Sequence, residues 1–153
     1  MNLTAWRTTS PLLAELDDET FAFLSSLATE RTLAKDEVIF RVDTPANRFF
    51  MVTSGTIAVR TAGSATPPVT IQTFGEGALL GISWRLPPHR WQWTAQANQD
   101  STVAEFDANV VLSKCEQDPT LDAAMWKVIA RESSKRLQNV RMQLLDLYGS
   151  GQP

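Results

Sequence analysis

The hydrophobic pattern of this chain changes period twice, and that constrains the fold more than any single motif. Phe21, Leu24 and Leu27 recur at helical spacing after Asp17-Asp18-Glu19-Thr20, whose acidic side chains suit the positive end of a helix dipole. Residues 18–28 therefore read as a short amphipathic helix. From about Thr32 to Phe106 the period falls to two, and strands are expected at 38–40, 49–53, 56–60, 69–73, 91–97 and 102–106. Turn residues separate them: Asp43-Thr44-Pro45-Ala46-Asn47, Ser54-Gly55, Gly63-Ser64-Ala65-Thr66-Pro67-Pro68, Leu86-Pro87-Pro88 and Asn98-Gln99-Asp100. After Asp107 the helical spacing returns, with a short helix over 108–115 and a long one over 121–148. Asp118-Pro119-Thr120 starts the long helix, Pro119 fitting its first turn, and Gly149 is a natural stop. Short strands between helices predict a mainly β fold with flanking helices, built as a barrel or double-sheet roll.

Composition removes several function classes. At 153 residues the chain suits one domain and can bury a core without staples. One cysteine, Cys115, excludes an internal disulfide framework, and it reads as a packed small hydrophobe rather than a redox sensor. One histidine, His89, cannot by itself build a histidine-rich metal centre, so no metal is expected. Ser83 near His89 lacks the third member of a hydrolase triad, and no enzyme activity is expected. No apolar run is long enough to span a bilayer and no secretory signal is visible, so a cytoplasmic, bacterial-type setting is expected. A net charge of −3 argues against nucleic acid as the main partner.

The long helix carries a narrow seam. Ala130, Ser133, Leu137, Val140, Leu144 and Leu147 are spaced three, four, three, four, three, which is a heptad pattern. Met125, Val128 and Ile129 lie nearer the start and are free to pack on the body. Two readings stay open: an amphipathic helix lying on its own domain, or a parallel pair across a two-fold axis. Residues 119–148 hold five basic and three acidic groups, read as a solvated face.

The order of these elements resembles the cyclic nucleotide-binding domain family. Lys35-Asp36-Glu37-Val38-Ile39-Phe40 and Phe49-Phe50-Met51-Val52-Thr53-Ser54-Gly55 fill the slots of its opening strands. Val103-Ala104-Glu105-Phe106-Asp107 matches the strand after its ligand cassette, and residues 128–140 resemble its dimerising C-terminal helix. The resemblance covers about residues 10–148. It implies a β-roll, or jelly roll, with a short N-terminal helix and a long C-terminal dimerisation helix. The expected divisions are a mobile start at 1–10, the roll at 11–118, the helix at 119–148 and a tail at 149–153. The family usually adds a winged-helix domain; with the sequence stopping at Pro153, no direct DNA binding is expected.

In that family a phosphate cassette supplies backbone N–H groups, a carboxylate for the ribose hydroxyl and an arginine for the phosphate. Two registers fit here. If Gly77 and Gly81 are the cassette glycines, Ile82 stands in the carboxylate slot; if Phe74-Gly75-Glu76 is the start, Glu76 keeps that role. Counting back from Ala97 puts Trp91 at the arginine slot, followed by Gln92 and Trp93, with Arg90 one residue away. A bulge would be needed to bring Arg90 back. The helix contacts to the base fall on Val140 and Arg141. The candidate cassette is thus Gly81, Ile82, Ser83, Trp84, Arg85, Arg90, Trp91 and Gln92.

Three readings of this pocket remain. It holds a different apolar-bodied or anionic ligand, with Arg85 or Arg90 as charge partner; or tryptophans fill it and the chain is a structural interaction protein; or a rearranged cassette still binds cAMP or cGMP. The preferred expectation is a stand-alone, homodimeric sensory module with a diverged cassette, weak for cAMP, signalling to an effector protein. A cyclic nucleotide or another small anion stays open as ligand.

Overall fold

Among the described residues, eight strands form two four-stranded antiparallel sheets that face each other as a roll, with helices before and after them. The computed structural model describes residues 1–61 and 67–150. One sheet has the order β1 (Thr29–Leu33), β8 (Ser101–Asp107), β3 (Arg48–Ser54), β6 (Leu79–Leu80). The other has the order β2 (Val38–Phe40), β7 (Thr94–Ala97), β4 (Ile57–Arg60), β5 (Thr70–Phe74). Phe49, Phe50, Met51 and Val52 of β3 are all buried, because β3 is inside its sheet and both its faces are covered. Phe49 stacks between Trp84 and Phe106, with ring centroids 4.8 and 4.7 Å away.

Carboxylates set the helix starts. Asp17 Oδ1 accepts from the Thr20 N–H at 2.8 Å and caps α1 (Asp18–Leu27), which buries Phe21 and Leu24. Asp107 Oδ1 accepts from the Asn109 and Val110 N–H groups and caps α2 (Ala108–Gln117). Asp118 Oδ1 takes the Thr120 and Leu121 N–H groups at the start of α3 (Pro119–Ser150). Each satisfies donors that the first helical turn leaves without partners. Leu121, Met125, Val128 and Ile129 face the core, and farther along Gln143 Nε2 donates to the Thr70 carbonyl of β5.

Several expectations need correction. The first ten residues, read as mobile, are tied down at points: Leu3 and Ser10 are buried, and the N-terminal amine donates to the Ser25 and Ala28 carbonyls. One leucine anchors a segment whose polarity suggested otherwise. Strands β1 and β6 were not expected; β1 buries only Leu33 among charged residues that suit a sheet edge, and β6 has two residues. Strand β7 starts at Thr94, not at residue 91, leaving Trp91 outside it. The helix runs on through Gly149, where glycine did not act as a stop. Of the expected turn at 63–68 and tail at 149–153, residues 63–66 and 151–153 lie outside the described residues. No helix among the described residues is long and apolar enough to cross a membrane.

Candidate ligand site

The cassette connects β6 to β7 and is held by backbone turns. Gly77 (φ +85°) donates to the Val52 carbonyl at 2.7 Å, which fixes the approach to β6. Gly81 has φ +98°, and a Cβ there would lie 2.9 Å from Trp91 Cη2. Glycine therefore permits both the left-handed backbone and the close approach of the indole. From Ile82 to Leu86 the chain makes tight turns, with Arg85 N–H donating to Ile82 O and Leu86 N–H to Ser83 O. These are turns, and no helix is formed over 82–88.

The tryptophans have different neighbours. Trp84, 2% exposed, stacks on Phe49 and donates its Nε1–H to the Gly81 carbonyl at 3.2 Å. Trp91, 5% exposed, lies parallel to Phe40 at 3.8 Å between centroids and fills the space against Gly81. His89 Nδ1 is 3.1 Å from the Trp84 carbonyl, so its proton is on Nδ1 if that bond forms, since a carbonyl only accepts.

The expected charge partners turn elsewhere. Arg85 pairs with Asp122 of α3, and its guanidinium lies 4.5 Å over the Trp126 ring. It thereby fastens the cassette to the first part of α3. Burial raises the Cys115 thiol pKa above its ordinary value, an effect that the positive charge of Arg85 partly offsets. Arg90 Nε donates to Asp43 Oδ1 at 2.9 Å, and its Nη2 to the Asp43 carbonyl. Glu76, read as a ribose carboxylate in one register, accepts from Trp6 Nε1 at 2.9 Å.

Between the cassette and α3 is a cavity of about 350 Å³. Ile82, Leu86, Trp93, Leu137 and Val140 form its apolar walls. Ser83, Gln92, Ser133 and Arg136 supply its polar groups. Of the expected site residues, the structure thus brings together Ile82, Ser83, Gln92 and Val140. Gly81, Trp84 and Trp91 are not part of the lining, and Arg141 lines a separate depression with Asn139 and Met142.

Arg136 is the site residue that sequence reading missed. Burial lowers its pKa, partly offset by nearby Glu132. Its guanidinium lies 6.0 Å over the Phe74 ring, and its buried Nε has no hydrogen-bond partner among the described residues. The signal was present: Arg136 lies four residues after Glu132 and seven after Ile129, both buried. A charged side chain that continues a buried helix face needs an explanation.

Among the seam residues, Leu137 is 70% exposed, and Leu144 and Leu147 are also exposed. Ser133, Leu137 and Val140 belong to both the seam and the cavity wall.

The sequence profile described as "Cyclic nucleotide-binding domain" matches residues 30–118. No curated protein matches the chain. Among solved structures, a Geobacter metallireducens GS-15 protein classed as cyclic nucleotide-binding is 18% identical, with 90% of this chain and 98% of that one covered and a TM-score of 0.78. The N-terminal domain of a transcriptional regulator from Streptomyces coelicolor A3(2) is 23% identical, with 85% and 93% covered and a TM-score of 0.69. Thermus thermophilus Catabolite Activator Protein is 20% identical, with 90% and 63% covered and a TM-score of 0.73. At these identities the likeness is one of fold.

Proposed function

This chain belongs to the cyclic nucleotide-binding domain family, and from that premise we propose that it is a sensory module whose cassette has diverged from holding a cyclic phosphate. The observation that carries the proposal is the indole of Trp91 packed against Gly81 while the cavity beside α3 stays open. Ile82 replaces a ribose carboxylate with an apolar wall, and Arg85 and Arg90 are engaged by Asp122 and Asp43. The site then reads a small ligand other than cAMP or cGMP, without catalysis.

The reader is α3. Its seam carries Leu137, Leu144 and Leu147 at the surface, which suits pairing with a second copy. Leu137 and Val140 serve both the seam and the cavity, so a ligand there bears directly on the helix pairing. Ligand binding shifts α3 between two arrangements, and an effector protein receives the change. A second reading, a structural protein with a tryptophan-filled roll, draws on the burial of Trp84 and Trp91.

The test is a small-molecule screen followed by tryptophan fluorescence and thermal shift, since Trp93 lines the cavity. Stabilisation by a ligand other than a cyclic nucleotide, with a change in fluorescence, supports the sensory reading. No response to any compound favours the structural one. Weak cAMP binding should improve in the double variant Ile82→Glu, Trp91→Arg.

A further inference from the structure

The cavity that carries the proposed function also has a definite electrostatic character. Among the described residues, Arg136 is the one charged side chain in its lining, and no carboxylate lines it. Among the described residues, the buried Nε of Arg136 has no acceptor, and no carboxylate forms an ion pair with its guanidinium. Glu132, one turn earlier on α3, is near enough to offset part of the burial effect on Arg136, but its ion pair is with Lys135 at 3.6 Å. Arg136 is half-buried; a buried guanidinium Nε–H without an acceptor is costly, and an anion with paired oxygens can take that donor together with a neighbouring Nη–H. Ser83, Gln92 and Ser133 add neutral hydrogen-bonding groups, and the other walls are aliphatic or indole.

We propose that this site takes a small organic acid: an anionic head on the Arg136 guanidinium, and an apolar body against Trp93, Ile82 and Leu137. The inference rests on the proposed pocket and deepens it by naming the ligand class. It differs from cassette recognition in its source of charge, which is the long helix and not the loop. An anion on Arg136 bears on α3 itself, whose neighbouring residue Leu137 belongs to the seam. A volume of about 350 Å³ lies at the small end of ligand pockets, which suits one or two rings carrying a single acidic group.

The experiment compares 1-naphthoate with 1-naphthamide, which share a shape and differ in charge. Both are titrated calorimetrically into the whole chain, with the Trp93 indole N–H followed by NMR to place them in the cavity. Naphthoate should bind at least about tenfold more tightly, equal to about 1.4 kcal/mol. The preference should vanish in Arg136→Met and persist in Arg136→Lys, while Ser133→Phe should block both compounds. If a variant fails to fold, the wild-type preference with a shifted Trp93 signal still decides the matter. Equal binding of both compounds at Trp93 overturns the anion inference and leaves the pocket reading intact. A preference that survives in folded Arg136→Met overturns it as well. Absence of binding by either compound, with micromolar cAMP binding, overturns both the inference and the reading on which it rests.

Discussion

Replacing Trp91 with alanine tests whether its indole is a structural part of the roll. The ring is 5% exposed, parallel to Phe40 at 3.8 Å and in contact range of Gly81. Its backbone pairing, Trp91 N–H to Thr44 O and Asp43 N–H to Trp91 O, is independent of the side chain and should persist. Truncation of a buried tryptophan costs about 3–5 kcal/mol through lost burial and the remaining cavity. The stack on Phe40 adds about 0.5–1.5 kcal/mol beyond area, which places the expected loss in the upper part of that range. For a chain of this length the melting temperature should fall by about 6–20 °C. Urea unfolding at fixed protein concentration should show a lower midpoint with an unchanged slope. Trp91→Phe should lose less, because a ring still faces Phe40. A loss below about 1 kcal/mol for Trp91→Ala would refute the reasoning, since surface substitutions lie in that range.

Three further outcomes are expected. Leu137→Glu should turn a dimer into a monomer in sedimentation at tens of micromolar, and a monomeric wild type there would remove the paired-helix reading. Cys115 should react with a thiol reagent far more slowly in the native protein than in denaturant, because it is buried and its pKa is raised by that burial; equal rates would show the site to be open. Glu15 accepts from Lys127 and Arg131 of α3, which hold its carboxyl below the ordinary value of 4.5. A carboxyl depressed in the folded state stabilises above its unfolded pKa and loses that contribution as pH falls through the folded one. Glu15→Gln should therefore be slightly less stable than wild type at pH 7, with the gap closing below pH 4.5 and shrinking in high salt. A gap that widens in acid would contradict the pairing.

Much of the architecture was legible because it rests on periodicity. The strands around Ile39, Val52, Val59 and Val103 stand as apolar runs between turn residues, and Asp17, Asp107 and Asp118 mark helix starts. Strand β1 was hidden because its partner β8 covers one side and its other residues are polar, so only Leu33 signals burial. At the site, counting residues put Trp91 in a regular strand, whereas its backbone pairs with the loop at Asp43 and Thr44. Sequence order could not show that Arg85 would meet Asp122 on a distant helix, or that Arg90 would meet Asp43. Those pairings come from tertiary packing. Arg136 was legible in principle, but the heptad stripe beginning at Ala130 drew the reading to the opposite question of what α3 exposes.

The most direct test of the central claim is calorimetric titration of cAMP into the wild-type protein. A micromolar site corresponds to about −8 kcal/mol, and each lost charge-assisted hydrogen bond removes about 1.5–3 kcal/mol. On the proposed reading, in which the cassette lacks its carboxylate and arginine and Trp91 packs against Gly81, about −2 to −5 kcal/mol remains, so binding should be near millimolar or weaker. Micromolar affinity that disappears in Arg90→Ala would contradict the account, because Arg90 would then have left Asp43 to hold the phosphate.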